Sequence, residues 1–472
     1  MDLREYVDKV KEIGELKLIE GADWNLEIGA ITFLAGTDPK LPALLFDKIK
    51  GYDAGYRVLA IPYSSDKRIA LSLGLPVGLE KLELVKKLRD KMGAPFEPIP
   101  PREVKNGPAL ENVHTGDDVD LFEFPTPKWQ KGDGGRYIGT GDIVIIKDPD
   151  EGWVNIGVHR VEIHDKTTAT IMFEDGKHGD MIRKKYWDRG LGCPAAVVCG
   201  CDPLLVFVGG LRVPWGVSEY DYAGWFSQKP VDIIKGPVTG LPIPADSEIV
   251  FEGEMVSPTV DSRMEGPFSE GTGHYTPALP EAAFKVKCVL HRNNPIILAD
   301  LPFLGPGIAA PGFKNVQRAA MLWSHLDTLI TGIKGVWSPP EWNRTAIISI
   351  TQKYGGHAKQ AAVAALGKFS YNQKYIVVVD DDIDPSNIRE VLFALAERAD
   401  PGEFDIIREN WCNHLTPLLS PDQRNAGDIT ENAALIMACK PYKWIKQFPP
   451  MVKADASLQE EMRKKWGKVL FG

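Results

Sequence analysis

The sequence has little cysteine, and what it has follows no framework spacing. Six cysteines occur in 472 residues, with no CxxC pair among them. This argues against a disulfide scaffold and indicates a reducing compartment in which the thiols are mostly buried. Met1 is followed directly by Asp2 and Arg4, which is not the pattern of a secretory signal. We therefore expect a cytoplasmic protein.

Long hydrophobic runs and an excess of positive charge are also missing. No apolar run approaches the roughly 18–20 residues of a membrane-spanning helix. The formal net charge is −9, so a nucleic acid bound to a basic face is not expected. We expect neither a membrane nor a nucleic acid as a partner.

The common nucleotide and hydrolase motifs are absent. The chain contains no Rossmann glycine pattern, Walker loop, nucleophile elbow or HExxH sequence. Residues 271–275 are rich in glycine but lack a third glycine at the required place, so we reject them as a dinucleotide fingerprint.

The length predicts more than one domain, and the secondary-structure pattern changes twice along the chain. A chain of 472 residues is too long for one ordinary core. The beginning and the end alternate helices and strands, whereas the middle is rich in strand-like segments. The fold class that we expect is therefore mixed α/β and β. Its parts are an N-terminal α/β domain (1–110), a mostly antiparallel β-barrel or sandwich with helices (111–305), a linker helix (306–335), a C-terminal α/β domain (336–455) and a terminal helix (456–472).

Some central segments have the composition of strands. Residues 137–147 and 153–164 are each predicted to form one strand, and the turn at 148–152 joins them as a hairpin. Residues 206–211 are predicted to form a further strand.

The terminal helix has an apolar edge on a charged background. The edge consists of Leu458, Met462, Trp466 and Leu470. A helix that cannot bury such an edge on its own domain often packs on a partner. We expect a homo-oligomer, either a dimer or a hexamer.

The stretch from Arg263 to Gly271 is the first candidate for chemistry. Glu265 and Glu270 lie five residues apart, with a Gly-Pro pair between them. Proline fixes its own φ and restricts the residue before it, so this segment is a stiff turn and not a helix. Two carboxylates held close together cannot both ionise easily, and one of them then becomes a proton donor. The same sequence also occurs in solvated loops.

A predicted strand upstream contains an amide and a guanidinium among apolar residues. Asn155 and Arg160 lie five positions apart, and the pleat of a strand puts such positions on opposite faces. They can reach one ligand only if the strand bends, and Gly157 is the place where a bend is expected. Otherwise one or both side chains face solvent.

Two further polar residues stand where helices are expected to begin. His178 lies at the start of a predicted helix, where the dipole favours anions and a neutral imidazole can bind a metal. Glu219 follows Ser218 before a second helix. With Asn155 they offer oxygen, nitrogen and oxygen ligands, which suit Mg²⁺ or Mn²⁺ beside phosphate oxygens. The alternatives are a structural histidine and a helix-capping glutamate. Lys368 could meet a phosphate or stay on the surface.

Taken in order, these residues resemble the UbiD family of reversible decarboxylases. The shared pattern is Asn155 with Arg160, then His178, then Ser218-Glu219, then Glu265-Gly-Pro-Phe-Ser-Glu270. The likeness covers nearly the whole chain. It implies an N-terminal α/β domain, a split β-barrel that binds prenylated FMN, a linker helix and a C-terminal α/β domain with a tail helix.

The resemblance implies the cofactor and its ligands. Asn155, His178 and Glu219 match ligands of a Mn²⁺ ion (or Mg²⁺) that holds the phosphate of prenylated FMN. The backbone of Ile156 and of Leu211 stands where a nearby K⁺ site takes carbonyl ligands, and Glu219 borders that site.

Two lysines match cofactor contacts in the family. Lys368 stands where a lysine contacts the cofactor phosphate, and Lys177 stands where a related member has glutamine beside the flavin.

The resemblance also implies the reaction. Arg160, Glu265 and Glu270 match a catalytic triad in which Glu270 transfers the proton. The reaction is a reversible, non-oxidative decarboxylation of an aromatic or heteroaromatic acid. Loss of CO₂ from an aryl carbon needs an electron sink, which a cofactor can supply and side chains cannot. The partners implied are an aromatic carboxylic acid, CO₂ and a flavin prenyltransferase that supplies the cofactor.

Alternatives stay open at this point. Residues 1–28 look closest to carboxylases of the phenylphosphate carboxylase type, which have several subunits. The chain could therefore be a partner-dependent subunit of a multi-subunit aromatic carboxylase. A Mn²⁺ hydrolase unrelated to flavin is a third interpretation, and it predicts a colourless active protein. Residues 220–226 and 301–311 are apolar or aromatic and are candidate linings for a flat substrate ring.

Overall fold

A computed structural model describes residues 1–36, 42–301, 312–369, 373–413, 415–452 and 455–471, without the side chains of Lys368, Phe369 and Ala456. In these parts of the chain the strands form four sheets. None of the described helices is both long and apolar enough to cross a membrane.

The N-terminal region alternates helices and strands, as the sequence predicts. Its elements are α1 (Leu3–Glu12), β1 (Leu16–Glu20), α2 (Glu27–Ala35), β2 (Ala43–Asp47), β3 (Arg57–Ala60), α3 (Asp66–Ser72) and α4 (Lys81–Met92). The strands β1 and β2 are parallel, and β3 pairs antiparallel with β2. Helix α1 begins directly after Asp2, whose carboxylate accepts a hydrogen bond from the Glu5 N–H at 2.8 Å.

The central region contains a curled antiparallel sheet with helices, which confirms the predicted class. Its elements are β4 (Arg102–Glu103), β5 (Asn112–Thr115), β6 (Arg136–Gly139), β7 (Ile143–Lys147), β8 (Val154–Gly157), β9 (Val161–Ile163), β10 (Thr168–Ile171), α5 (His178–Trp187), β11 (Cys193–Val198), α6 (Pro203–Gly209), α7 (Glu219–Ser227), β12 (Asp232–Lys235), β13 (Pro242–Pro244), β14 (Ile249–Met255), β15 (Ser262–Glu265), β16 (Leu279–His291) and β17 (Ile296–Ala299). The strand order is β6-β9-β10-β16-β14-β11-β7-β8, and both β5 and β15 also pair with β16.

Strand pairing links the central region to the N-terminal one. The strand β17 lies parallel to β3 and becomes the fourth strand of the N-terminal sheet. The short strand β4 pairs with β12 in a small sheet of order β13-β12-β4. The two regions therefore share a sheet that neither could complete alone.

The C-terminal region is α/β, as expected. Its elements are α8 (Phe313–Asp327), β18 (Ile333–Trp337), β19 (Thr345–Ile350), α9 (His357–Phe369), β20 (Tyr375–Asp380), α10 (Ile388–Arg398), β21 (Asp405–Trp411), α11 (Pro421–Ala426), β22 (Thr430–Ala438) and α12 (Ala456–Phe471). The sheet order is β18-β19-β20-β22-β21, with β19, β20 and β22 parallel.

The strand predicted at 206–211 is wrong, because these residues belong mainly to helix α6. The Asp202 carboxylate accepts a hydrogen bond from the Leu204 N–H at 2.9 Å, and Pro203 occupies the first helical position. Both are helix-start signals. The helix is buried on all sides, so it shows no polar face from which its period could be read.

The long strands predicted at 137–147 and 153–164 are each split in two. The first is divided into β6 and β7, which have different partners: β6 pairs with β9, and β7 with β8 and β11. The second is divided into β8 and β9. The hairpin turn between β7 and β8 is confirmed, and Asp148 accepts a hydrogen bond within it from the Asp150 N–H at 2.8 Å.

Candidate active site

The three residues of the predicted triad come together around the Arg160 guanidinium. Its Nε and Nη2 donate to the two carboxylate oxygens of Glu265 at 2.7 and 2.6 Å, and its Nη1 donates to Glu270 Oε1 at 2.8 Å. The side chains of Arg160 and Glu265 are 8% and 3% exposed, whereas that of Glu270 is 21% exposed. Burial by itself lowers the pKa of Arg160, but the carboxylates of Glu265 and Glu270 and the Tyr137 hydroxyl together outweigh it, so the net pKa is raised. The arginine stays charged and holds both glutamates.

The chain bends between Asn155 and Arg160, as the sequence predicts. Strand β8 ends at Gly157. The ring of His159 folds back over this glycine, and a Cβ at position 157 would lie 2.4 Å from His159 Nε2. Burial lowers the pKa of His159 to about 4, so the ring packs as a neutral group against Phe173, with 4.1 Å between the ring centroids. A larger residue at position 157 would have to displace the His159 ring, and the interruption of the strand here frees Arg160 from the pleat of β8.

The loop between the two glutamates of the triad is held by carboxylates that we did not predict. Glu162 Oε2 accepts a hydrogen bond from the Gly266 N–H at 2.9 Å, and Asp133 Oδ1 accepts one from the Ser269 N–H at 3.3 Å. Both acidic residues are 3% exposed. Gly134 lets the backbones approach, since a Cβ there would lie 2.2 Å from the Gly266 carbonyl oxygen. The loop is therefore fixed at two backbone positions by buried acceptors.

Tyr137 connects Glu162 to the triad. Its hydroxyl lies 3.0 Å from Glu162 Oε2 and 3.1 Å from Glu265 Oε1. A hydroxyl has one proton to donate, so contacts with two carboxylates require one additional proton in the cluster. Glu265 is paired with Arg160, whereas no described side chain forms an ion pair with Glu162. Burial raises the pKa of Glu162 to about 7, so near neutral pH this residue can carry the additional proton.

The sequence contained one signal for Glu162. It follows Arg160 by two positions, and residues two apart in an extended chain lie on the same face. Asp133 has no such signal, because its partner Ser269 is 136 residues away in the chain.

The predicted ligands Asn155 and Glu219 also come together. Asn155 Nδ2 donates to Glu219 Oε1 at 3.1 Å, and the Ile156 N–H donates to Glu219 Oε2 at 2.7 Å. Glu219 is the first residue of α7 and is 3% exposed. Among the described residues no cationic side chain pairs with it, and burial raises its pKa to about 8. A buried carboxylate that has hydrogen-bond donors but no cation fits a divalent metal ion, which would supply the missing positive charge.

His178 lies beside the same part of the sheet, at the first residue of α5. Its ring centroid is 5.7 Å from that of Trp153 and 5.2 Å from that of Trp215. Trp153 precedes Asn155 by two positions, so both point to one face of the chain. Burial, and then the charge of Lys177, lower the pKa of His178. A neutral imidazole at a helix N-terminus fits a site for a metal and an anionic phosphate.

The remaining predicted residues have less distinct surroundings. Leu211 follows α6, and its N–H donates to the Val208 carbonyl at 2.9 Å. Lys177 directly precedes α5 without a capping hydrogen bond from its side chain, and its Nζ lies 3.4 Å from Glu174 Oε2. Lys368 lies in α9, but its side chain is outside the described residues.

The two candidate ring-lining segments have different outcomes. Residues 220–226 lie in α7, and most of them pack in the hydrophobic core. Of residues 301–311, only Leu301 lies within the described part of the chain.

The triad opens toward the C-terminal region on the Glu270 side. A pocket there is lined by residues of the Glu270 loop, including Tyr275, and by Leu415, Pro417 and Arg424. Nearby, Asn343 Nδ2 donates to the Gly271 carbonyl at 2.8 Å. The C-terminal region therefore forms one wall of the space in front of the most exposed member of the triad.

Three family models match successive parts of the chain. Residues 7–92, 102–303 and 313–437 match the N-terminal, Rift-related and C-terminal domains of 3-octaprenyl-4-hydroxybenzoate carboxy-lyase, UbiD. The chain belongs to the UbiD family of carboxy-lyases. This confirms the family that the site residues indicated, and it removes the unrelated hydrolase as an interpretation.

Curated relatives of this UbiD-family chain include decarboxylases of aromatic acids. Pyrrole-2-carboxylic acid decarboxylase of Pseudomonas aeruginosa is 31% identical over 424 residues, which cover 85% of this chain and 84% of the relative. Phenolic acid decarboxylase of Bacillus subtilis is 29% identical over 419 residues, which cover 86% of each chain.

Solved structures match over almost the full length. The UbiD-class enzyme HmfF from Pelotomaculum thermopropionicum, in complex with FMN, has a TM-score of 0.85 at 26% identity and 98% coverage of both chains. The vanillic acid decarboxylase of Sedimentibacter hydroxybenzoicus, in its open form, has a TM-score of 0.82 at 27% identity and 99% coverage of both chains.

Proposed function

We propose that this chain catalyses the reversible, non-oxidative decarboxylation of an aromatic or heteroaromatic acid with prenylated FMN as cofactor. The observation that carries the proposal is the placement of Arg160 between Glu265 and Glu270, in a chain of this family. Relatives named as pyrrole-2-carboxylic and phenolic acid decarboxylases support the substrate class. Structures of HmfF with FMN and with prenylated FMN support the cofactor.

In this proposal Asn155, His178 and Glu219 hold Mn²⁺ or Mg²⁺, which binds the cofactor phosphate. The backbone carbonyls of Ile156 and Leu211 contribute to a neighbouring K⁺ site. When bound, prenylated FMN supplies the electron sink for the electrons that remain when CO₂ leaves. The observation in this chain that supports the metal site is the Glu219 carboxylate, which is buried and has no cationic side chain beside it among the described residues.

Glu270 is the proton donor in this proposal. It is the most exposed member of the triad, at 21%, and Arg160 contacts it through one N–H. Glu265 is bound through both of its oxygens and is almost fully buried. Glu270 can therefore exchange a proton with a substrate carbon more easily than Glu265. Once Glu270 has given up its proton, the Arg160 charge stabilises the carboxylate that is left.

The substitution Glu270→Gln tests the proton step. Glutamine keeps the shape and hydrogen bonding but cannot donate an acidic proton, so the variant should bind cofactor and metal normally. It should lose about 10²–10⁴ in decarboxylation rate. It should also lose deuterium exchange at the product carbon in D₂O, a reaction that needs no CO₂.

One control variant and one comparison variant complete this test. Glu254→Gln changes a carboxylate whose Oε1 pairs with Lys287 at 2.9 Å outside the site, and it should keep wild-type exchange. Wild-type exchange in Glu270→Gln together with loss of exchange in Glu265→Gln would show that the two roles are reversed. If both variants exchange normally, the proposed role of the loop fails.

We also propose that the chain forms a homo-oligomer through α12. In the single chain, Leu458, Trp466 and Leu470 are 54%, 47% and 64% exposed. These side chains form an apolar edge that a second copy would cover.

All six cysteines are buried and form no disulfide, which supports a reducing, cytoplasmic location.

The alternative of a partner-dependent subunit has support from one structural relative. The vanillic acid decarboxylase of Sedimentibacter hydroxybenzoicus was solved with a second chain, ShVdcD. Purified alone and loaded with prenylated FMN, the present chain should catalyse deuterium exchange if it is self-sufficient. Exchange only after addition of a partner chain would favour the subunit interpretation.

A further inference from the structure

A second cluster of potential metal ligands lies outside the candidate active site. It consists of His114 in β5, Glu123 at the end of the short helical turn Leu121–Glu123, and His291 at the end of β16. We propose that these three side chains bind a divalent transition-metal ion of the Zn²⁺ class. None of the steps proposed above uses them.

The register of two strands brings the histidines together. In the antiparallel pair of β5 and β16, His114 is opposite Val289, and Asn112 is opposite His291. The histidines are therefore diagonal neighbours on one face of the sheet. Their ring centroids are 5.1 Å apart in an edge-to-face arrangement. Rigid strands, not loops, set this spacing.

The ligand atoms are already separated by distances suitable for a metal. His114 Nδ1 lies 3.3 Å from Glu123 Oε2, and His291 Nε2 lies 3.3 Å from Glu123 Oε1. One ligand atom from each of the three residues lies within 4.8 Å of the others. A tetrahedral ion with bonds of about 2.0–2.1 Å places its ligands about 3.3–3.4 Å apart. The two 3.3 Å contacts reach different oxygens of Glu123, so the carboxylate would have to turn, or bind through both oxygens, for the ion to contact all three side chains.

The ring of His291 is oriented as a metal ligand. Its Nδ1 lies 2.9 Å from the Arg292 carbonyl oxygen, which can only accept, so Nδ1 carries a proton and donates. Its Nε2 is buried and lies 3.3 Å from Glu123 Oε1, at the outer limit of a hydrogen bond. A buried nitrogen that faces a carboxylate, on a ring whose other nitrogen donates to a carbonyl, is the arrangement found in metal-binding histidines.

The surroundings of the cluster orient the Glu123 carboxylate and leave the fourth coordination position of the ion open to water. The Tyr56 hydroxyl donates to Glu123 Oε1 at 2.9 Å, as an outer hydrogen bond that orients a ligand. The side chains of His114 and Glu123 are 30% and 24% exposed, so water can complete the coordination. Since Tyr56 precedes β3, the ion would tie the turn and the central sheet to the N-terminal region. We assign it a structural role.

Titration of the chelator-treated full chain with Co²⁺ tests the proposal. Four-coordinate Co²⁺ gives visible d–d absorption, and the wild type should show it. His114→Gln should abolish the signal, and Tyr56→Phe should weaken binding by about 10–100-fold. His164→Gln is the matched control, because this half-buried histidine is hydrogen-bonded to Thr170 and belongs to neither site.

Two further measurements separate this cluster from the site at Glu219. His178→Ala should keep the d–d absorption, because it affects only the candidate active site. Zn²⁺ should raise the Tm of the wild type and of His178→Ala, but not that of the double variant His114→Gln/His178→Ala, in which both sites are altered. His114 lies on a partly exposed strand, so this variant should fold even where changes at His291 do not.

Two results would overturn the assignment. One is equal Co²⁺ uptake and equal absorption in the wild type and His114→Gln. The other is a wild type without d–d absorption whose His291 Nε2 is protonated in NMR spectra at neutral pH. The cluster would then be an ion pair of Glu123 with an imidazolium and not a metal site.

Discussion

Metal binding at Asn155, His178 and Glu219 is expected to depend steeply on pH, and Glu219 is the reason. In the metal-free fold, burial raises the pKa of this carboxyl to about 8, so it is protonated at neutral pH. A metal ion binds the carboxylate, so the proton must leave first. The pKa of His178 is lowered, so its imidazole is already neutral and adds no dependence above neutral pH.

The raised pKa sets the magnitude. For one proton with a pKa of about 8, the apparent affinity should rise about fiftyfold from pH 6 to pH 8, and only about twofold from pH 8 to pH 9. The raised pKa of Glu219 also makes folding depend on pH. The contribution of the protonated Glu219 to the free energy of unfolding is fully present below pH 4.5, the ordinary pKa of glutamate, and it is lost as the pH rises through about 8.

Calorimetric titration with Mn²⁺ measures the affinity for the metal and the number of protons that binding releases. Buffers of different ionisation enthalpy report the protons released, which should be about 0.9 per ion at pH 7 and about 0.5 at pH 8. The flavin-free protein with His114→Gln should be used, so that the second cluster does not contribute. Glu219→Gln should lose most of the affinity and all of the proton release. Asp221→Asn, in the same turn of α7 but on another face, should change neither.

The reasoning is refuted if the wild type binds Mn²⁺ with the same affinity at pH 6 and pH 8. It is also refuted if Glu219→Gln releases protons like the wild type. In either case the buried carboxyl is not the group that exchanges its proton for the metal.

Three further changes test the loop, the bend and the terminal helix. Glu162→Gln imitates the protonated side chain, so the pH–rate profile should lose an inflection near the pKa of about 7; an unchanged inflection would show that the additional proton lies elsewhere. Gly157→Ala places a Cβ 2.4 Å from a histidine nitrogen, and should lower the free energy of unfolding by about 1–3 kcal/mol in denaturant titrations and reduce kcat/KM through Arg160. Unaltered stability and activity would argue against the need for the bend. Truncation after Ala456 should convert the oligomer into a monomer in light scattering, and a monomeric full-length chain would contradict the role of α12.

Much of the site could be predicted from the sequence because several of its functional residues lie close together in the chain. Glu265 and Glu270 occupy one turn, and Asn155 and Arg160 flank a glycine that allows a bend. Local rules for proline, glycine and strand pleating made these residues candidates, and the resemblance of their order along the chain to the UbiD family assigned them to one site. The alternation of helices and strands in both terminal regions follows from local periodicity in the same way.

Local rules fail where burial removes the pattern or where partners are distant in the chain. Helix α6 is apolar on all sides, so composition alone could not distinguish it from a strand. Asp133 reaches Ser269 across 136 positions, and His114 meets His291 only through the register of β5 and β16. The protonation of Glu162 and Glu219 depends on solvent exclusion by the whole fold, because desolvation is a property of the folded surroundings and not of neighbouring residues. The sequence by itself thus determined which groups could do the chemistry, and the tertiary structure decided which of them are buried, paired and protonated.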